Sequence, residues 1–422
     1  MGKKKYVILI PNITGMGGAQ MYVRNKLIYM QENGWEVDLI SAYSGKVYIE
    51  NLIKYDYYIP ELIFCNYLFN RKKRSQIIDN VIKRIFDRKY VEIVIESTCI
   101  PTCTWGEEIA KKCNARHFCY LLQEDNTITS RILQKYFIFK YNRRELASIT
   151  DNSIYDMFLP FAPISLEQSI ACQLPAFCNN VIEDIDSNWL KIVENVSCDY
   201  KIGFLSRLDK PFVLPVLKDI INYVKIYSNK HFLLVLVGGT TEGKVGESQI
   251  YNMFRHIPNV HLIITGLMFP IPTKLFDLFD VFLTSAGSAW VCMKSGIPTI
   301  SIDGKDFKPI GILGRTTNHS LFRGMNEPPL NLQTLLRDIL QEKKFEKCKP
   351  LFEESKLDFS IHERFLSNML KEKVYYIEEN PMKSWSEKWM SIKLTLLGAN
   401  NYIKINRYKV NIINAFKALK VI

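Results

Sequence analysis

Several things are scarce in this sequence, and each scarcity excludes a class of protein. Ten cysteines occur in 422 residues, yet none forms a CxxC pair. The nearest approach is Cys99 with Cys103, and Cys119 and Cys292 sit inside apolar runs, as buried free thiols do. Neither a zinc site nor a disulfide framework is expected. No run comes near the roughly 18 apolar residues of a membrane-spanning helix, since the greasiest stretch, Phe232 to Val237, is strand-sized. The opening Met1-Gly-Lys-Lys-Lys5 and the apolar run to Pro11 are too short for a secretion signal and lack a cleavage pattern, so a first β-strand is the better reading. Tyr6 fails the Ser/Thr requirement of a myristoylation signal. A cytoplasmic protein is expected. Low-complexity tracts and internal repeats are missing, which argues against disorder and solenoids. The six histidines form no cluster, and no metal site is expected.

What is present is a chain 47% hydrophobic and 23% charged, long enough for two domains. Lys and Arg number 55 against 43 Asp and Glu, a net charge of +12 that suits anionic partners. Basic residues gather at Arg71 to Arg74, Arg84 to Lys89, Arg143-Arg144 and in the last forty residues. No helix-turn-helix, RRM, KH or zinc-finger pattern goes with them, so nucleic acid is not expected as a partner. Solvated helix faces explain the clusters as well as an anionic membrane surface does.

Apolar runs alternate with helical stretches. Strands are expected at Tyr6–Ile10, Glu36–Ser41, Val91–Glu96 and His117–Leu122, with a helix over Gln20–Asn33. A second series has strands at Tyr200–Leu205, Phe232–Val237, Val260–Thr265, Val281–Thr284 and Thr299–Ile302. Helices Phe212–Tyr227 and Ala289–Ser295 punctuate it. Such alternation signals parallel βαβ units, one doubly wound sheet in each half. The pattern loses regularity between Asn180 and Cys198, which puts a boundary near Val196 and gives domains 1–195 and 196–380. Residues 381–422 carry Trp385, Trp389 and eight Lys/Arg against one acid, Glu387. They read as a basic amphipathic helical extension with the two Trp packed across the domains, its basic face suiting anionic lipid.

Ile13-Thr-Gly-Met-Gly-Gly-Ala-Gln20 follows the first strand and opens a helix, where glycines let a ligand approach backbone N–H groups. A tight strand-to-helix turn explains them equally. The spacing of Gly15, Gly17 and Gly18 fails the dinucleotide fingerprint, and Asp38, the one candidate ribose acid, falls within a strand.

Gly17-Gly18-Ala19-Gln20 resembles the GGA(E/Q) signature of family 4 type (group 1) glycosyltransferases, retaining enzymes of the GT-B fold. Gly203-Phe-Leu-Ser-Arg-Leu-Asp-Lys210 is similar to the stretch whose Arg and Lys hold the donor diphosphate, here Arg207 and Lys210. Val237-Gly238-Gly239 is similar to the strand end that follows. Pro258-Asn-Val, Thr265-Gly266 and Leu275 to Phe282 resemble the arrangement whose loop, here Leu267 and Met268, borders the nucleobase. Lys294-Ser-Gly296-Ile-Pro298-Thr-Ile is similar to the family's AxGxPVI. The ordered matches span Met1 to Ser301. The resemblance implies two Rossmann-like domains facing a cleft, with Gly17, Gly18 and Gly239 on the donor.

Arg207 and Lys210 would neutralise charge on the leaving diphosphate, and with helix N-termini they make a divalent metal unnecessary. One departure stands out. The family's paired Glu is missing, and alignment on Gly296-Ile-Pro298 puts Val291 at the second of them. Thr284-Ser-Ala-Gly-Ser-Ala289 stands there instead, where Ser285, Gly287 and Ser288 offer a helix cap and a phosphate site.

For acid–base work, Glu124 or Asp125 after the fourth strand would orient the acceptor hydroxyl. His117, opening that strand, suits a structural role. Asp303, Asp306 and Lys308 suit either donor contacts or a solvated loop. The implied activity is a metal-independent hexosyltransferase using a UDP- or GDP-linked sugar and no cofactor. Its acceptor would be a glycan or lipid-linked hydroxyl in cell-surface polysaccharide synthesis, at the inner membrane face. An inactive sugar-nucleotide-binding scaffold and a sugar-nucleotide epimerase are the alternatives.

Overall fold

The opening apolar run becomes the middle of a parallel sheet. The computed structural model describes residues 2–86, 88–123, 126–150, 152–178, 180–240, 245–324, 327–351, 358–377 and 382–419. Strand β1 (Lys4–Ile10) is buried from its second residue to its last, as expected of a strand covered on both faces. It lies between β2 (Trp35–Ser41) and β3 (Glu92–Ser97), and β4 (Arg116–Leu121) and β5 (Leu146–Ser148) continue the sheet. The order is β2-β1-β3-β4-β5, every pair parallel. Val7, Leu9, Ile95, Cys119 and Leu121 share one core with Trp105 and Phe137 from the crossover helices Ile100–Cys113 and Arg131–Asn142.

The second sheet has the order β13-β12-β11-β7-β8-β9. Its members are β7 (Tyr200–Leu205), β8 (Phe232–Val237), β9 (Val260–Ile264), β11 (Val281–Thr284), β12 (Thr299–Ile302) and β13 (Pro309–Ile312). Only β13 runs antiparallel. Alternate residues of β8 enter opposite cores: Leu234 and Leu236 join Ile202 and Phe204, whereas Leu233, Val235 and Val237 join Leu205 and Phe282. Two short strands, β6 (Ile182–Glu183) and β10 (Ile271–Pro272), pair apart from it.

The architecture is the expected α/β one, with two doubly wound parallel sheets and a C-terminal helix. The chain divides into Met1–Thr14, Val23–Phe177 and Leu357–Ile422 as one unit, and Gly15–Tyr22 with Cys178–Lys356 as the other. The division thus falls before Cys178 rather than near Val196. Leu190 and Val193, on helix Asn188–Glu194, are buried in the second unit's core, and apolar burial outweighs the Asp/Asn/Glu-rich surroundings that suggested a linker. The chain also returns to the first unit earlier than residue 381. Phe359 is fully buried there, with its ring 4.8 Å from that of Phe177, and His362 Nε2 donates to the Pro175 carbonyl at 2.9 Å.

The C-terminal helix, Trp385–Leu419, is kinked at Gly398 (φ 72°). Leu394 joins the first unit's core. Trp385 and Trp389 do not pack as expected: they are 78% and 58% exposed. The helix docks through its other face, so the two rings point away from the core they were expected to cover. No described helix is long and apolar enough to cross a membrane.

Candidate functional site

In a doubly wound sheet the ligand crevice lies beyond the carboxyl ends of the strands, where the strand order reverses. In the second unit that point is between β7 and β11, and the loops leaving these two strands carry Arg207, Lys210, Ser285, Gly287 and Ser288 among the expected donor residues.

The β7 loop is anchored at both ends, Ser206 N donating to the Val237 carbonyl at 3.2 Å and Leu208 N to the Gly239 carbonyl at 3.0 Å. Arg207 is presented between these anchors, its side chain 35% exposed, with Asp209 Oδ1 3.5 Å from its Nε. That Nε is buried and has no hydrogen-bond partner among the described residues. The Asp209 carboxylate offsets the charge at that Nε without completing a hydrogen bond. Lys210 follows, with its N–H directed to the Arg207 carbonyl at 3.4 Å.

The Gly-rich segment, Gly15–Tyr22, belongs to the same unit. A Cβ on Gly17 would stand 3.8 Å from Arg207 Nη1 and 3.3 Å from Gln20 Oε1, and one on Gly18 would stand 3.5 Å from Cys178 Sγ. Gly17 leaves backbone, not side chain, facing the guanidinium, and Gly18 does the same beside Cys178. Asn12 shapes the turn before them, its Oδ1 accepting from Thr14 N and Thr14 Oγ1 at 2.7 Å each.

At β11 the structure alters the expected roles. Thr284 Oγ1 donates to the Leu205 carbonyl at 2.5 Å and fastens β11 to β7. Ser285 does not cap the next helix. Its hydroxyl donates to the Ile302 carbonyl at 2.8 Å and is 4% exposed, because it lies before the turn rather than at it. Ala286 is the N-cap residue of helix Gly287–Lys294, at φ 58° and ψ −136°, with no side-chain cap. A non-glycine residue held in such a conformation stores strain, a common feature of ligand-binding turns. Ser288 does not cap the helix either; its Oγ accepts from Asn180 Nδ2 at 3.4 Å. Gly287 passes Cys178, whose Sγ would be 4.0 Å from an added Cβ.

Gly239 packs backbone on backbone: a Cβ there would stand 2.9 Å from Leu267 N. Leu267 and Met268 follow β9 half-buried. Gly238 is more constrained still, with φ 152° and the Ser206 carbonyl oxygen 1.9 Å from an added Cβ. After β12, Asp303 is 4% exposed and acts as a loop organiser, its Oδ1 accepting from Lys305 N at 2.7 Å and its Oδ2 from Arg323 N at 2.9 Å. Asp306 receives Arg323 Nη2 on both oxygens, at 2.6 and 2.8 Å. Partial burial opposes its ionisation, but the guanidinium outweighs this and holds the carboxyl below its ordinary range. Lys308 is exposed. Sequence reasoning missed Arg323, Asn180 and Cys178. They lie in aperiodic loops where no local signal marks them.

In the first unit, Glu124 and Asp125 lie outside the described residues. His117 is buried in a charged cluster. Its Nδ1 is 2.7 Å from Glu107 Oε2, which also receives Lys140 Nζ at 2.9 Å, while Lys140 donates to Glu145 at 2.6 Å. Burial, reinforced by Lys140, lowers the His117 pKa to about 4. Burial opposes the Glu107 charge, but Lys140 and His117 prevail and hold its pKa at about 2. Ser97 Oγ lies 3.0 Å from His117 Nε2, a serine–histidine–glutamate chain. No substrate fits there, since even a Cβ on Gly106 would be 2.2 Å from Ser97 Oγ. His117 is structural.

No protein-family model matches the sequence, and no curated protein matches it. Solved structures do. A glycosyltransferase from Rickettsia africae ESF-5 aligns with TM-score 0.55 at 12% identity, covering 87% of this chain and 99% of its own. Anabaena HepE, solved with UDP and glucose, aligns with TM-score 0.50 at 13% identity, covering 81% of this chain and 92% of its own. The same Anabaena protein solved with UDP-glucose gives TM-score 0.50 at 14% identity, covering 81% and 90%. The fold is GT-B. At these identities the likeness is one of fold, and the role of each residue rests on this chain's own geometry. No cluster of His, Cys, Asp or Glu suited to a metal occurs among the described residues.

Proposed function

We propose that the protein is a glycosyltransferase of the family 4 type, transferring a hexose from a nucleoside diphosphate sugar, UDP-linked by preference, to a hydroxyl of a glycan or lipid-linked acceptor. The observation that carries this reading is the arrangement around Arg207. A guanidinium one-third exposed, opposed by a long contact to Asp209, stands at the switch point of the second sheet, beside the bare backbone of Gly17. Two phosphates satisfy such a site better than any neutral ligand.

In the reaction the bond from the sugar C1 to the diphosphate oxygen breaks, the oxygen keeping the electron pair, while C1 bonds to the acceptor oxygen. The acceptor proton leaves to a base, for which Glu124 is the candidate. Arg207 and Lys210 stabilise the charge gathering on the diphosphate, the largest electrostatic demand of the step. Because two cations meet it, the transfer proceeds without a divalent metal. Leu267 and Met268 flank the base, and Gly17, Gly18 and Gly287 admit the phosphates. Retention of configuration and a place in cell-surface polysaccharide synthesis accompany the family reading.

Val291 supports a second reading. Where the family has its ribose-binding Glu, this side chain is 4% exposed and packed in the apolar core, so a sugar-nucleotide-binding protein without turnover would look the same. Two measurements on the purified protein with EDTA separate the readings: thermal shift with UDP, GDP, ADP, TDP and CMP, and release of nucleoside diphosphate from its sugar conjugates. Stabilisation by one diphosphate with consumption of its sugar conjugate supports transfer. Stabilisation without consumption supports the binding module, and stabilisation by none at millimolar ligand refutes both.

A further inference from the structure

The first half of the C-terminal helix has two unlike faces. Its inner face is fixed to the first unit. Tyr67 Oη donates to Glu387 Oε1 at 2.9 Å, Ser391 Oγ donates to the Leu68 carbonyl at 2.6 Å, and Met390 and Leu394 pack against the core. On the outer face, Trp385, Trp389, Ile392 and Leu396 are 78, 58, 48 and 78% exposed. Their spacing of four, three and four residues puts them on one stripe, about 17 Å long at 1.5 Å per residue. Lys388 and Lys393 border it, and the Lys388 ammonium lies 5.6 Å from the Trp385 ring. From Lys383 to Tyr408 the single acid is Glu387, and it is turned inward. The outer face is therefore apolar and cationic without a compensating carboxylate. Gly398 ends the stripe by redirecting the helix.

We infer that this stripe docks the protein on an anionic lipid bilayer, lying in the headgroup region without spanning it. Indole rings favour that region because one edge is apolar and the other donates a hydrogen bond. Lysines beside them gain from the negative surface potential, at about a factor of five in affinity each. A second copy of the chain is a poorer occupant. The four side chains expose on the order of 500 Å², less than the roughly 800 Å² per partner of a standard interface, and two copies would bring like charges together. The inference stands independently of sugar transfer.

The test is cosedimentation of the whole protein with vesicles of phosphatidylcholine alone and of phosphatidylcholine mixed with phosphatidylglycerol, with sedimentation velocity in the absence of lipid. Binding is expected to be at least about tenfold tighter to the anionic vesicles and to weaken with salt. Trp385→Ser with Trp389→Ser should lower it by about tenfold or more while leaving circular dichroism and melting temperature unchanged. Lys388→Gln with Lys393→Gln should remove the preference for anionic lipid. Equal binding to both vesicle types, full binding by the double Trp variant, or a dimer that this variant abolishes would each overturn the inference.

Discussion

Removing the Arg207 guanidinium is the sharpest test of the donor site. In Arg207→Ala the fold loses little, since the side chain is one-third exposed and its ion pair with Asp209 is 3.5 Å long. Pairs of that kind contribute about 0–1 kcal/mol. The melting temperature without ligand should therefore shift by no more than about 4 °C. Binding should change far more. A hydrogen bond from a charged donor to phosphate is worth about 1.5–3 kcal/mol, so the dissociation constant for the preferred nucleoside diphosphate should rise roughly 10- to 140-fold. Arg207→Lys keeps the charge but not the planar fork and should fall between the two. Titration calorimetry of the three proteins against the same diphosphate measures this directly. An alanine variant that binds within about twofold of the parent, with an unchanged melting temperature, refutes the assignment of Arg207 to the donor phosphates.

Gly238→Ala should destabilise the second unit by about 3 kcal/mol or more, because its Cβ meets the Ser206 carbonyl oxygen at 1.9 Å and φ is 152°; urea unfolding measures it. Lys140→Met should cost about 3–5 kcal/mol by the same assay, as it leaves Glu107 buried without its lysine while Glu145 keeps only Arg143. Stability should also fall in mild acid. His117 titrates at about 4 in the folded chain against an ordinary 6.5, so its contribution is complete above pH 6.5 and is lost as pH drops towards 4. Glu107 extends the loss from pH 4.5 down to about 2. His117→Gln should flatten the melting temperature between pH 6.5 and 4, and an unchanged slope would discount the histidine. Val291→Glu should unfold the second unit at lower urea rather than tighten donor binding, since the position is 4% exposed in the apolar core that also holds Phe282, Cys292 and Ile297.

The strands that could be read from the sequence are those covered on both faces. Phe232–Val237 is apolar throughout because each of its residues enters one of two cores, and the long runs at β1 and β7 have the same origin. Strands β5 and β13 escaped notice for opposite reasons. Leu146–Ser148 is three residues long, and Pro309–Ile312 owes its place to antiparallel pairing with β12, which no local pattern announces. The division before Cys178 was obscured in a similar way. Leu190 and Val193 sit on one short helix between polar stretches, and which sheet they cover is decided by distant contacts. The burial of Phe359 is likewise a long-range outcome.

The candidate site is legible in the sequence where its geometry depends on backbone. A glycine is informative in sequence because few residues replace it where chains nearly touch, as at Gly238 against Ser206 and Gly239 against Leu267. Hydroxyl side chains are less informative. Ser285 and Ser288 are plausible phosphate ligands by type, yet Ser285 spends its proton on the Ile302 carbonyl, as the neighbouring Thr284 does on that of Leu205. What those bonds hold in place is Ala286, strained at φ 58°. The small residues of this turn therefore act by fixing the backbone ahead of helix Gly287–Lys294 rather than by reaching a ligand themselves. Under the proposed reading, a turn without the family's carboxylate would serve an anion through oriented N–H groups, which tolerate wide variation in the side chains around them.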